Sequence, residues 1–202
     1  MAKLLPEFFR RDDERPDPLA YAEPRFGTHL SAAASAAAES RYRELLPSGA
    51  HLLDLMAGFV SHLPNGYRRV TGLGLNTDEL EANPRLDDHL VLDLNSPVFL
   101  PFFDDTLGGA VCTEGVQYLV RPLEVFAEVA RSLKPNAPFV VAFSNTMLES
   151  KAVLAWRAAD EAARLRLVRS YFEATPGFGR TYSDHHEPIE GDPLYIVWAL
   201  KA

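Results

Sequence analysis

The sequence predicts an α/β protein with a mostly parallel sheet. Short apolar runs alternate with helical segments along most of its 202 residues. Hydrophobic residues make up 47% of the chain and charged residues 24%, which suits a packed domain of ordinary size. Strands that alternate with helices are typical of parallel sheets with right-handed crossovers.

The N-terminal part predicts an arm followed by a helix. Residues 1–26 are rich in proline, arginine and acids, so we expect much of this arm to be irregular. An alanine-rich segment at 29–46 predicts a helix that Ser31 could cap. Proline and glycine within 47–49 end that helix.

The middle of the chain contains the runs that predict the sheet. Five apolar segments are typical of buried parallel strands. They cover residues 50–56, 69–75, 89–94, 108–113 and 138–144. Between the last two, residues 121–135 repeat apolar side chains at helical spacing and end at a proline.

The C-terminal part predicts a helical segment and two strands. Residues 147–173 are predicted to be helical with one break, and strands are expected at about 178–184 and at 193–201. The expected fold is a three-layer sandwich with a mostly parallel seven-stranded sheet and an antiparallel edge strand at 193–200. We expect one domain over 1–202, with an arm and helix at 1–47 and the core at 48–202.

Charge and composition exclude several classes of protein. The net charge of −8 disfavours non-specific nucleic-acid binding, since a phosphate backbone requires a basic surface. The longest uncharged stretch, 135–148, is too short to span a bilayer. The single cysteine, Cys112, permits no internal disulfide, and the N-terminus has no signal-peptide core. We therefore expect a cytoplasmic protein without membrane or nucleic-acid partners.

An ordered set of residues in the second half resembles a known family. The set is Leu100, Pro101, Phe102, Asp104, Tyr118, Leu119, Glu128, Arg131, Leu133, Lys134 and Pro135. Over residues 48–145 the chain resembles class I S-adenosylmethionine-dependent methyltransferases of the type 11 kind. The resemblance implies a Rossmann-like fold, S-adenosylmethionine as cofactor and a small-molecule methyl acceptor.

The first strand-end loop matches the family's glycine-rich pattern only in part. Asp54 and Gly58 match the acid and the middle glycine, while Met56 and Val60 replace the outer glycines. The resemblance places Asp54, Met56 and Gly58 at the cofactor. Asp54 could instead cap the following turn, and Gly58 could be an ordinary turn glycine.

The second and third loops differ in how well they match. The family's ribose-binding acid aligns with Gly74, so Asn76 is the nearest replacement, although it could equally cap a helix. In the third loop, Asp93 and Leu94 match the adenine-binding positions. Asp93 could alternatively cap a short turn.

The fourth loop and the arm supply candidates for the rest of the crevice. Thr113 is assigned to the cofactor, and Tyr21, Arg25, Glu114 and Tyr118 to the substrate. Tyr21 and Arg25, with His29, could close over the ligands or form a solvated tail. Candidate general bases are His62, Glu114 and His29, although a lone histidine is more often packed or exposed.

Three functions are compatible with these patterns. The first is methyl transfer from S-adenosylmethionine to a small molecule. The second is a non-catalytic relative that binds a ligand or a protein, because the outer glycines and the ribose acid are missing. The third, a nicotinamide-dependent oxidoreductase, is disfavoured because the first loop lacks G-x-G-x-x-G. His185 and His186 would face opposite sides of a strand, so we expect no metal site. The oligomeric state is left open.

Overall fold

The computed structural model describes residues 5–202 as a seven-stranded sheet covered by helices on both faces. Residues 1–4 of the predicted arm lie outside the described part. The strands are β1 (His51–Leu55), β2 (Arg69–Gly74), β3 (Asp88–Val91), β4 (Gly109–Thr113), β5 (Pro138–Phe143), β6 (Phe178–His186) and β7 (Leu194–Lys201). The helices are α1 (Asp17–Ala20), α2 (Ala32–Leu45), α3 (Thr77–Glu81), α4 (Pro122–Ser132), α5 (Leu154–Arg157) and α6 (Glu161–Ala174), with 3₁₀ turns at Pro6–Phe9 and Val116–Tyr118.

The strand order confirms the parallel sheet and corrects its edge. The order is β3-β2-β1-β4-β5-β7-β6, with the first five strands parallel. The C-terminal strand β7 is antiparallel to β5, as expected. It is not the edge strand, because β6 pairs with its other side and occupies the edge.

Two apolar cores lie on opposite faces of the sheet. One contains Phe126 of α4 and Phe172 of α6, whose rings pack edge to face with 4.8 Å between centroids. The other lies under α2, where Ala34 and Ala38 are fully buried. Small alanine side chains let this helix approach the sheet closely. The protein is therefore a three-layer sandwich, as the sequence predicts.

Helix boundaries follow local chemistry. Ser31 caps α2 by accepting from the Ala34 amide, and Pro122 occupies the first turn of α4. The helical prediction for 147–173 is too long at its start, because residues 147–153 are irregular apart from a turn at 149–151, and the helix α5 begins at Leu154. Asp160 then caps α6 after a break.

The crossover from β1 to β2 contains no helix. Residues 56–68 run between these parallel strands as an irregular segment. This segment crosses the carboxyl end of the sheet, where ligands of open α/β sheets bind. No helix of residues 5–202 is long and apolar enough to cross a membrane.

Candidate functional site

A cavity of about 470 Å³ lies at the carboxyl ends of β1, β2, β3 and β4. Its walls come from the four strand-end loops, the N-terminal arm (residues 5–30) and the segment after β5. The volume lies within the usual range of small-molecule sites. All thirteen predicted site residues line it: Tyr21, Arg25, His29, Asp54, Met56, Gly58, His62, Asn76, Asp93, Leu94, Thr113, Glu114 and Tyr118.

Asp54 lies at the end of β1 as a buried carboxyl. It is 4% exposed and accepts a hydrogen bond of 2.5 Å from the Ser61 hydroxyl. Burial raises the pKa of Asp54 to about 7, although the bond from Ser61 acts in the opposite direction. Asn83 joins this network by donating to Ser61 Oγ and to the Gly58 carbonyl. Asp54 therefore also organises the loop, which is the structural role considered for it.

Met56 occupies a backbone conformation that favours glycine. Its φ of 56° is left-handed, at a position where the family pattern has a glycine. A Cβ added to the facing Gly115 would lie 2.8 Å from the Met56 Cβ. The bulkier side chain is thus accommodated because Gly115 has none.

The loop after β1 explains why β2 ends in glycine. The Ala57 amide donates to the Leu73 carbonyl at 2.8 Å, so this loop lies directly against the end of β2. A Cβ on Gly74 would lie 3.3 Å from the Ala57 carbonyl carbon and far inside contact distance of its oxygen. A carboxylate at the family's ribose position is therefore sterically excluded in this arrangement.

Asn76 is committed to holding structure rather than free for a ribose. Its Oδ1 caps α3 by accepting from the Glu79 amide, and its Nδ2 donates to the carbonyls of Tyr21 and Ala22. Both amide hydrogens are used, so only Oδ1 could still bind a ribose hydroxyl, and the ribose contact of this side chain stays a prediction. The Oδ1 atom of Asn76 caps the helix, which is the alternative role considered for this residue.

Glu79 of α3 is a cavity-lining acid that was not among the predicted site residues. Its Oε1 accepts from the Arg25 amide at 2.7 Å, while a Cβ on Gly58 would lie 3.0 Å from its Oε2. Glu79 thus turns toward the first loop and the arm. The sequence contains only a weak signal for a site role of Glu79, because acids are common in the first turn of a helix for electrostatic reasons alone.

Asp93 forms a turn at the mouth of the third loop. Its two carboxylate oxygens accept from the Asn95 amide at 2.8 Å and from the Ser96 hydroxyl at 3.1 Å. These bonds confirm the turn-capping alternative. Each oxygen retains a further lone pair, so a ligand contact is compatible with the turn. Leu94 beside it is buried.

The fourth loop places a second buried carboxyl in the cavity. Glu114 is 9% exposed, has a φ of 55°, and accepts from the Ser144 amide and from Gln117 Nε2. Burial raises the pKa of Glu114 to about 7, against the effect of these hydrogen bonds. The Thr113 hydroxyl bonds the buried Tyr42 hydroxyl at 2.6 Å. Tyr118 accepts from the Leu148 amide, which ties this loop to the segment after β5.

His62 is a nearly buried imidazole on the cavity wall. Its Nδ1 lies 2.8 Å from the Ser35 hydroxyl of α2. Burial and the nearby His29 both lower the pKa of His62, which favours the neutral ring. His29 is exposed, and its carbonyl lies 3.5 Å from the Thr146 hydroxyl. Both remain candidates for acceptor contacts.

A buried ionic cluster fixes the arm to the core. Asp17 is 3% exposed and binds Arg11, Asn95 and Lys151, whose ammonium lies 3.0 Å away. Burial raises the pKa of Asp17, but these hydrogen bonds outweigh burial and leave it lowered. The Lys151 ammonium also donates to the Arg15 carbonyl.

This cluster was not among the predicted features, because Asp17 and Lys151 are far apart along the chain. The cluster and the bonds from Asn76 and Glu79 hold the arm over the cavity, rather than leaving it as a solvated tail.

No group of three metal-ligating side chains occurs within residues 5–202. His185 and His186 are exposed on β6, away from the cavity-lining loops. The single cysteine, Cys112, is buried in β4, and burial raises the pKa of its thiol.

Comparisons with known proteins agree with this architecture. No family model matches the chain. A curated protein, the biotin biosynthesis bifunctional protein BioHC of Teredinibacter turnerae, is 30% identical over 117 residues, which are 57% of this chain. The match spans only 18% of that protein's length.

Solved structures provide the fold. A protein solved as a proposed methyltransferase in complex with the Haloferax volcanii Trm112 methyltransferase activator aligns with a TM-score of 0.61 at 16% identity, covering 83% of this chain and 90% of that one. An S-adenosylmethionine-dependent methyltransferase from Mesorhizobium loti gives 0.55 at 17% identity, covering 81% and 98%. Geranyl diphosphate C-methyltransferase from Streptomyces coelicolor, solved with S-adenosylhomocysteine, gives 0.55 at 13% identity, covering 83% and 76%. The chain has the class I methyltransferase fold.

Proposed function

We propose that this protein transfers a methyl group from S-adenosylmethionine to a small-molecule acceptor. The observation that carries the proposal is the cavity at the carboxyl ends of β1 to β4, lined by every predicted site residue. In an open parallel sheet this is the place where ligands bind. The fold shared with solved methyltransferases supports the same cofactor.

The cavity residues fit S-adenosylmethionine at two of its three parts. Asp93 and Leu94 offer a carboxylate and backbone for an adenine, and Asp54 and Thr113 line the end that would take the amino acid portion. The ribose has no strand-end acid, because Gly74 is covered by the first loop. We assign the ribose hydroxyls to Glu79, the half-buried acid on that side of the cavity.

Bound S-adenosylmethionine supplies a methyl group that is already activated on a sulfonium. The protein then has to align the acceptor and exclude water. The arm serves the second need, since Phe26 packs edge to face on Phe59 and the Arg25 guanidinium lies over the Tyr21 ring.

His62 is the base we propose for an acceptor that must lose a proton. If the Ser35 hydroxyl accepts from Nδ1–H, Nε2 carries the free lone pair of the neutral ring. The lowered pKa of His62 favours the neutral ring, in which that lone pair can accept a proton.

The proposal includes the wider setting of the protein. We propose that arm and core act as one domain, since both line the cavity. The net charge of −8 favours a small acceptor over a nucleic acid. A cytoplasmic location stays a prediction from the single, buried cysteine.

Thermal unfolding with S-adenosylmethionine, S-adenosylhomocysteine and NAD tests the proposal. A ligand that binds only the folded state raises the Tm by mass action. We expect both sulfur cofactors to raise it and NAD to leave it unchanged, with Kd values of tens of micromolar, or about −6 kcal/mol. Asp93→Ala should weaken binding by about 1–3 kcal/mol, because an adenine amino group loses its acceptor.

Glu124→Gln, on the exposed face of α4, is the matched control for that change. Stabilisation by NAD alone would point to an oxidoreductase. A folded sample that binds none of the three would favour the non-catalytic alternative.

A further inference from the structure

The outer edge of the sheet is a long strand without a neighbour. The strand β6 (Phe178–His186) is nine residues long and pairs on its inner side with β7. Among residues 5–202, no strand pairs with its outer side. Such an edge presents a row of backbone N–H and C=O groups that can bind another strand. The edge lies away from the cavity, whose lining contains no residue of β6.

A trough of about 610 Å³ lies beside this edge. Residues 178–183 of β6 line the trough together with Arg169 and Glu173 of α6. Arg169 Nη1 donates to the Ser183 hydroxyl at 3.2 Å, and Arg169 Nη2 lies 3.5 Å from a carboxylate oxygen of Glu173. The edge is therefore open along most of its length, and its trough contains both an acid and a base.

The side chains of β6 alternate between the two faces of the sheet. Thr181 and Ser183 pair with residues of β7 that belong to the core under α6. Tyr182 lies on the opposite face, where its ring stacks on Trp198 with 5.6 Å between the ring centroids. Arg180 shares that face, because its guanidinium lies 5.4 Å from the centroid of the Tyr182 ring.

A basic and an acidic residue flank Tyr182 on this face. Arg180 is exposed and forms no ion pair with any of residues 5–202. Asp184 is also exposed, and its carboxylate pairs with Arg41 of α2. The register with β7 is regular over 181–186 and slips only before this stretch. The edge thus has opposite charges placed two residues to either side of an aromatic ring.

We propose that two copies of this chain pair in antiparallel fashion through β6, with the two-fold axis at Tyr182. Tyr182 is the central residue of β6, so this register uses the whole strand. Arg180 then lies opposite the partner's Asp184, and Thr181 lies opposite the partner's Ser183. Opposite charges, Thr–Ser pairs and aromatic pairs are cross-strand contacts that stabilise antiparallel sheets. The same patch therefore binds itself, as the interface of a two-fold dimer must.

The Thr181 hydroxyl supports this pairing. It is buried and has no hydrogen-bond partner among residues 5–202. A buried hydroxyl that forms no hydrogen bond costs free energy, so such groups normally have a partner. In the dimer, the hydroxyl of the partner's Ser183 stands opposite Thr181 and offers the hydrogen bond that the single chain lacks.

Other two-fold registers lose this complementarity. An axis at Arg180 or at Asp184 places two identical charges opposite each other, which destabilises the pairing. An axis at Thr181 or at Ser183 moves Arg180 away from the partner's Asp184. The charges of the edge therefore select Tyr182 as the centre.

The dimer leaves the cavity of each copy open. The strands β5 and β7 lie between β6 and the four strands that end at the cavity. The pairing of β6 thus goes beyond the proposed function and does not depend on it.

Sedimentation velocity of the full chain tests the dimer. We expect the mass to rise from 22.4 kDa toward twice that value as the protein concentration increases from about 1 to 200 micromolar. Arg180→Asp and Asp184→Arg should each weaken the dimer about tenfold or more, because like charges then face each other twice. An equimolar mixture of the two variants should dimerise again, because every facing pair is then opposite in charge. Arg68→Asp, an exposed change before β2 at the far side of the sheet, should leave the dimer intact.

A cysteine at the centre of the edge tests the register. Directly opposite residues of antiparallel strands have Cα atoms about 4.5–5.5 Å apart, which a disulfide can span. Tyr182→Cys should therefore form a covalent dimer under mild oxidation, whereas Asp184→Cys, which faces the partner's Arg180, should not. This pair keeps the test valid if a charge variant fails to fold by circular dichroism.

A native chain that stays monomeric over the whole concentration range would overturn the proposal and leave the edge to a different protein. A dimer that survives both charge variants and gives no disulfide through Tyr182→Cys would show that another surface forms it. Two monomeric charge variants that do not dimerise when mixed would refute the pairing of Arg180 with the partner's Asp184.

Discussion

The contact between the first loop and the end of β2 predicts that Gly74→Ala strongly destabilises the protein. The added Cβ would meet the Ala57 carbonyl group, which is backbone and held in place by the bond from the Ala57 amide to Leu73. Overpacking typically costs about 1–3 kcal/mol, and a rigid neighbour places this site at the upper end. For a chain of this length, about 3 kcal/mol lowers the Tm by about 6–12 °C.

Two further glycine variants calibrate the measurement. A Cβ on Gly72 would overlap Cδ1 of Leu86 and lie 2.9 Å from its Cδ2, but this side-chain tip can move, so the destabilisation by Gly72→Ala should be intermediate. A Cβ on Gly179 would make an ordinary contact 3.5 Å from the Leu200 carbonyl oxygen, so Gly179→Ala should change stability by less than about 0.5 kcal/mol.

Thermal and urea unfolding monitored by circular dichroism would rank the three variants. If Gly74→Ala unfolds at the same temperature and urea concentration as Gly179→Ala, the first loop does not press on β2 as described. The steric reason for the missing ribose acid would then be wrong.

Two other predictions concern buried charges. Lys151→Met should lower the free energy of unfolding by about 3 kcal/mol, because Asp17 loses a buried partner. The double variant that also carries Asp17→Asn should recover part of this loss in urea unfolding. If the effects of the two substitutions on the free energy of unfolding simply add, the ion pair is not supported. Asp54→Asn should become more stable relative to the native protein by about 3 kcal/mol between pH 5 and pH 8. The raised pKa of Asp54 means that the native fold holds a proton the unfolded chain has released, so the native protein loses stability as pH rises to about 7; a difference independent of pH would contradict the burial of this carboxyl.

The strands could be predicted closely because their apolar runs are local and end at turn residues. The predicted run at 138–144 becomes β5 over Pro138–Phe143, and Ser31 caps α2 as expected. The lateral order of the last two strands was not predicted. The sequence contained a signal for this order, since Leu194–Lys201 is almost entirely apolar whereas Phe178–His186 is mostly polar, as an exposed edge strand is.

The position of the candidate site could be predicted from the sequence, but the roles of its individual residues could not. Strand-end residues converge because parallel strands share a carboxyl edge, and this places Asp54, Asp93 and Glu114 in one cavity. The use of Asn76 as a cap and arm anchor depends on contacts with residues more than 50 positions away. Such pairings have no local signature, and the same is true of the ionic cluster at Asp17.

The long-range anchoring of the arm has a consequence for the order of folding. The Asp13 amide bonds the Ser150 carbonyl, and the Leu154 amide bonds the Arg10 carbonyl. During synthesis these arm residues emerge from the ribosome well before their partners. Contacts between residues that are so far apart in sequence also form slowly. The neighbouring strands β1, β2 and β4 could pair while the arm is not yet bound to the core. The cavity would then be the last part of the molecule to be enclosed, and a nascent chain that has not yet reached Ser150 would leave it open to solvent.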